Sequence, residues 1–233
     1  MGLTDVLGRT VLNALDAIGF TEALSRRMLA HPWKPRFAND PKNLGLRLPY
    51  YISHPERITL GDDVQIGAYA MLHPLLRYQP RGEAPPGLGE LPPQEFDPEL
   101  RIGNRVRTGM RLQIFVQNLI VIEDDVNIAS NVFMNDALHG YNEIDRPFRD
   151  QPLQRIQPIH IHRGCWIGQN VVIMPGVRCG PHSIVGANSV VTRDIPPRSI
   201  AVGAPARVIR TWSDEEGGWR DVVSRPDHAR ARD

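Results

Sequence analysis

Between Ile161 and Ile195 the chain places an apolar residue at every sixth position: Ile161, Ile167, Ile173, Cys179, Val185 and Val191. A second set falls four places after each, at Cys165, Val171, Val177, Ser183, Ser189 and Ile195, and most of its members are small. Gly follows the periodic residue at Gly168, Gly180 and Gly186. A period of six fits neither the 3.6 of a helix nor the simple alternation of a long strand. It fits a solenoid in which each short strand meets a tight corner, with Gly or a small residue where the backbone turns. One such rung cannot bury its apolar face alone, so the pattern predicts stacked rungs and an all-β solenoid.

The same period recurs earlier, from Leu60 to Leu72, from Ile102 to Ile114 and, after a shift of phase, from Ile122 to Met134. Two stretches break it. The first, 74–100, holds Pro74, Pro80, Pro85, Pro86, Pro92, Pro93 and Pro98, which suits a loop thrown out from the solenoid and not a strand. It either shapes an acceptor pocket or pads the surface, and composition does not choose between them. The second spans 136–158. Before the repeats, Leu3, Leu7, Val11, Leu15 and Ile18 share one helical face, a shorter helix is expected over 22–29, and residues 31–49 read as a proline-punctuated extended lead-in. The expected division is therefore 1–50 for the helical region and lead-in, 51–211 for the solenoid, and 212–233 for a tail. From Ser213 onward that tail is charged and rich in Gly and Arg, and it is expected to be a frayed helix or disordered.

Charge narrows the function classes. Lys+Arg total 27 against Asp+Glu 26, so no domain-wide basic field exists to hold nucleic acid by its phosphates. The two cysteines, Cys165 and Cys179, fall on core phases of the repeat and form no CxxC pair, which reads as packing in a reducing compartment. No apolar run reaches the roughly 18 residues needed to span a bilayer, and the N-terminus lacks a signal-peptide pattern. A cytoplasmic protein is expected.

Taken together, these residues resemble the hexapeptide-repeat acyltransferases, and the resemblance implies their fold, a left-handed parallel β-helix. The hand comes from the resemblance alone, because periodicity does not fix it and the general preference of parallel crossovers is right-handed. Three local matches sharpen it: Cys165-Trp166-Ile167-Gly168 with Pro175-Gly176-Val177, the run from Gly186 to Pro197, and the exit from Gly203 to Arg210. The resemblance is closest to the branch of maltose, galactoside and surface-polysaccharide O-acetyltransferases. It implies acetyl-CoA as co-substrate, a sugar or glycan acceptor, direct attack without an acyl-enzyme, and a homotrimer.

Acetyl transfer to a hydroxyl needs a base, and His is the natural one near neutral pH. His139, in Asn135-Asp136-Ala137-Leu138-His139-Gly140-Tyr141, stands off the apolar phase, at the place where the resembling enzymes carry their catalytic His. Many relatives read Asp-His-x-His-x-Tyr here, and this chain has Ala137 for the first His. Asp136 either orients the imidazole, touches the acceptor or serves as a turn-forming residue. For the coenzyme, the resemblance assigns Trp166 to the pantetheine arm, main chain near Gly168 and Ala187 to the thioester, and Thr192, Arg193, Arg207 and Arg210 to the phosphates. His160 and His162 share one strand face but show no third ligand at a convincing spacing, so no metal is expected. Two other functions stay open from sequence: N-acetylation of a nucleotide-linked amino sugar, and a non-catalytic β-helix scaffold.

Overall fold

The structure, a computed structural model, describes residues 35–80 and 91–222. The helices expected before residue 30 lie outside the described residues. The described chain winds as a three-faced parallel β-helix. Face one stacks Gly45–Leu46, Gln65–Ile66, Arg107–Thr108, Asn127–Ile128, Trp166–Ile167, Ile184–Val185 and Ser199–Val202, all parallel. Face two stacks Tyr50–Ile52, Ala70–Pro74, Gln113–Val116, Phe133–Asn135, Val172–Ile173 and Val190–Val191. Face three stacks Ile58–Leu60, Glu99–Ile102, Leu119–Ile122, Ile159–Ile161 and Arg178–Cys179.

The period of six now has a physical cause. Each face takes one hexad, so Ile161, Ile167 and Ile173 point inward from faces three, one and two in turn, and all six periodic residues from Ile161 to Val191 are 0% exposed. The second set, from Cys165 to Ile195, fills the corners and is at most 4% exposed. Each fully buried Ile or Leu contributes about 1.5–3 kcal/mol, so the solenoid is held by its aliphatic stack. Corners recur in columns of left-handed backbone. Tyr69, Arg111, Asn131, Asn170 and Asn188 turn face one into face two at φ 58–61°. Asn tolerates that conformation best among residues with side chains. There the amides form a ladder, Asn131 Nδ2 donating to Asn170 Oδ1 (3.1 Å) and Asn170 Nδ2 to Asn188 Oδ1 (2.9 Å).

Three features depart from the sequence expectation. The first coil begins within the supposed lead-in, at Gly45–Leu46, because Leu46 packs into the stack at 1% exposure. The excursions are not structureless: Arg77–Tyr78 pairs antiparallel with Gln94–Glu95, and Leu138–His139 with Leu153–Gln154. The tail expected to fray or disorder from Ser213 instead folds back as an antiparallel hairpin, Arg207–Ser213 against Gly218–Asp221, up to the last described residue. Trp212 and Trp219 meet edge to face across it at 5.5 Å, and the hairpin covers the open end of face one.

Candidate active site

Both excursions leave the solenoid at the same edge, between faces two and three, with one uninterrupted coil between them. Stacking therefore brings together loops that lie far apart in sequence. Gln94 and Leu153 lock them: Leu153 N–H donates to Gln94 Oε1 (2.6 Å), and Gln94 Nε2 donates to the Leu153 carbonyl (3.0 Å). The first excursion thus does more than pad the surface; it builds one wall around His139.

His139 is exposed on the short strand Leu138–His139, and Tyr78 from the first excursion meets it edge to face, ring centroids 5.7 Å apart. Tyr78 Oη donates to the Arg149 carbonyl at 2.6 Å and lies 3.4 Å from His139 Nδ1. A phenol has one proton. With that proton directed at Arg149, its oxygen faces His139 Nδ1 as an acceptor, an arrangement compatible with the tautomer in which Nε2 is bare. A bare Nε2 is what a general base requires. Sequence reasoning missed Tyr78 because nothing local ties residue 78 to residue 139.

Asp136 is 0% exposed, and its carboxylate faces the main chain of the coil below, not the imidazole. Oδ1 accepts from Gln117 N–H and Oδ2 from Asn118 N–H, both at 2.8 Å. Burial pushes its pKa above the ordinary Asp value, against the opposing pull of the amides of Gln117, Asn118 and Leu119. Its chemistry is that of an anchor, fixing the root of the second excursion three residues before His139. Ala137, where relatives have a His, is also fully buried. A polar ring there would need a hydrogen-bond partner inside the fold.

The coenzyme candidates divide into two sets. Thr192 and Arg193 are exposed on the edge between faces two and three, the edge that also carries His139. Trp166, Ile184, Ile200 and Arg210 form one register row on face one, with Trp166 51% exposed. Arg210 is already engaged by Asp221 (2.6 Å), and Arg207 is exposed and bonds the Ala206 carbonyl at 2.8 Å. Gly168 does not offer its amide, which donates to the Val185 carbonyl (2.8 Å). Its missing side chain permits close stacking of the coils, since a Cβ there would stand 2.6 Å from the Ala187 nitrogen. Within one chain, the face-one row and the His139 edge lie on opposite sides of the prism. Cys165 and Cys179 are free and buried, and burial raises both thiol pKa values.

Comparison with known proteins agrees with the repeat. Residues 158–193 match the family described as bacterial transferase hexapeptide (six repeats). The galactoside O-acetyltransferase of Escherichia coli (strain K12) is 37% identical over 121 residues, 52% of this chain and 58% of that protein. The chain spans less than two thirds of the length of the curated relatives it matches. Among solved structures, the hexapeptide-repeat-containing acetyltransferase VCA0836 of Vibrio cholerae, complexed with acetyl coenzyme A, has a TM-score of 0.50 at 25% identity, covering 82% of this chain and 76% of that one. A point mutant of AntD, an N-acyltransferase from Bacillus cereus, in complex with dTDP and coenzyme A, has a TM-score of 0.60 at 19% identity, over 77% of this chain and 87% of that one, a likeness of fold alone. Among the described residues, no helix is long and apolar enough to cross a membrane.

Proposed function

We propose, from the premise that the chain is a hexapeptide-repeat protein, that it is an acetyl-CoA-dependent O-acetyltransferase acting on a sugar hydroxyl, with His139 as general base. The observation that carries this reading is the exposed His139 imidazole, met by Tyr78 at Nδ1 in an arrangement compatible with a bare Nε2. Nε2 takes the proton of the acceptor hydroxyl as its oxygen attacks the thioester carbonyl. The new C–O bond forms, the C–S bond of the tetrahedral adduct breaks, and the departing thiolate recovers the proton from the imidazolium. No acyl-enzyme is needed, and two buried thiols with raised pKa values are poor nucleophiles. The similarity to named acetyltransferases supports the donor; the acceptor class follows the resemblance to the sugar-modifying branch.

The site is shared between copies in this reading. His139 stands four residues beyond the strand Phe133–Asn135, a reach of at most about 14 Å, while Trp166 and Arg210 face outward on the opposite face. A neighbouring copy that lays its face one against the His139 edge joins the base to the coenzyme row. Face two, beside that edge, presents Phe115, Phe133, Val172 and Val190 outward and partly exposed, apolar surface suited to such cover. A homotrimer is the expected assembly, and light scattering should return three times 26.2 kDa. A monomer would overturn this part of the reading.

The test is release of free coenzyme A from acetyl-CoA across a panel of sugars and amino sugars. The His139→Ala variant should lose about 10²–10⁴-fold in rate with acetyl-CoA affinity retained. Full activity in that variant removes the proposed base. Turnover confined to amino groups replaces O-transfer with N-transfer, and failure to bind the coenzyme at all leaves a scaffold.

A further inference from the structure

Face three carries a cluster that the transfer chemistry leaves unused. The residue after each buried inward residue forms a column down successive coils: Gly61, Gly103, Glu123, His162 and Gly180. Glycine prevails because the coils stack closely; a Cβ on Gly61 would stand 2.5 Å from the Asn104 nitrogen. The two exceptions are neighbours, and they touch: His162 Nδ1 lies 3.1 Å from Glu123 Oε1. His160, two residues earlier and so on the same outward side of its strand, aims Nε2 at that same oxygen from 2.7 Å. The two imidazoles stack with centroids 3.9 Å apart at 18°. The other carboxylate oxygen accepts the Arg163 N–H at 2.9 Å, which fixes the carboxylate's orientation. A groove of about 580 Å³, bounded by Leu60, Ile102, Glu123 and Arg163 among others, opens beside the cluster. Among the described residues it is the one group of three such ligands whose donor atoms lie within 4.8 Å of one another.

We propose that Glu123 Oε1, His160 Nε2 and His162 Nδ1 hold a divalent transition-metal ion, zinc before others, with water completing the coordination. Two imidazoles and a carboxylate form the borderline ligand set that zinc takes, and three protein ligands leave a fourth tetrahedral position to solvent. Ligands at about 2.0–2.2 Å from a tetrahedral ion stand roughly 3.3 Å apart. The present 2.7 and 3.1 Å are hydrogen-bond separations, so the ion replaces the ring protons while the carboxylate withdraws by about half an ångström. The Arg163 amide on Oε2 is the outer-shell contact that holds a ligating carboxylate in place. The ion clips the strand Leu119–Ile122 to Ile159–Ile161, where the second excursion rejoins the solenoid. It thereby steadies the loop bearing His139 and takes no part in the transfer.

The full chain, freed of metal with a chelator, is titrated with Zn²⁺ and with Co²⁺. One ion per chain is expected, with the intense visible absorption of four-coordinate cobalt and a thermal midpoint that rises with zinc concentration. His160→Ala and His162→Ala should each weaken zinc binding by at least about 100-fold. The proposal is overturned by affinity weaker than about 1 mM, by an octahedral cobalt spectrum, or by a sulfur-to-cobalt band that would move the ion to a cysteine. Affinity unchanged in the His160→Ala/His162→Ala double variant overturns it as well. The cobalt spectrum is read on the unaltered chain, so it decides the matter even if a variant fails to fold.

Discussion

Replacing Asp136 tests whether the site is held from below. Its two carboxylate oxygens each accept a main-chain amide at 2.8 Å, from Gln117 and Asn118. A hydrogen bond to a charged group contributes roughly 1.5–3 kcal/mol. In Asp136→Ala the Gln117 amide, on a residue only 5% exposed, is left without a partner, while Asn118 is exposed and its amide turns to water. The carboxylate's own desolvation is recovered, so the net destabilisation is about 2–4 kcal/mol. Solenoids need not unfold in one step. The local readout is therefore hydrogen exchange at Gln117 and Asn118, expected to speed up by roughly 30- to 1,000-fold, at tenfold per 1.4 kcal/mol. Asp136→Asn keeps one acceptor and sets its NH₂ against the second amide, so it falls between wild type and Ala.

The pH dependence carries a definite sign. Because burial raises the folded pKa of Asp136 above the unfolded 3.8, the folded chain holds this proton more tightly. Its contribution to stability is therefore fully present below 3.8 and lost as pH rises through the folded value. The stability gap between wild type and Asp136→Asn narrows across that window, the reverse of an Asp in a salt bridge. Unchanged exchange at Gln117 and Asn118 in the Ala variant would refute the anchor. A loss of kcat in Asp136→Asn without any such change would return the carboxylate to the chemistry.

Two further substitutions probe the same edge and the proposed coenzyme face. Tyr78→Phe keeps the ring contact with His139 and removes the oxygen that faces its Nδ1. Losing about 1 kcal/mol of hydrogen bonding should lower kcat about fivefold, and an unchanged kcat would contradict a role for this contact. Gly168→Ala forces a Cβ to within 2.6 Å of the Ala187 nitrogen and 2.8 Å of the Val185 oxygen, both main-chain atoms. Overpacking of this kind costs about 1–3 kcal/mol, and it should raise KM for acetyl-CoA more than it lowers kcat.

Local repetition made most of the fold readable. In a solenoid each residue meets its equivalent one coil away, so the same inward and corner positions recur and the burial of Ile161, Ile167, Ile173 and their successors follows from spacing alone. His139 stands out by its place off the apolar phase, at the start of the second excursion, together with the resemblance; its role as base belongs to the proposal. The hairpin at Arg207–Asp221 was hidden because its polar composition masks a cross-strand pair, Trp212 with Trp219, whose value exists only once the chain folds back.

What sequence could not carry is contact between segments that leave the period. Tyr78 reaches His139, and Gln94 reaches Leu153, only because two excursions depart from one edge of neighbouring coils; the stacking sets their distance, and no spacing along the chain encodes it. The same holds for Glu123, which completes the His160–His162 pair from the adjacent coil, 37 residues before His160. Apolar periodicity determined that coils would form and which side chains they bury. Only the stacked coils decided which polar groups meet outside them, because those meetings depend on register between rungs, and register is a property of the assembled helix.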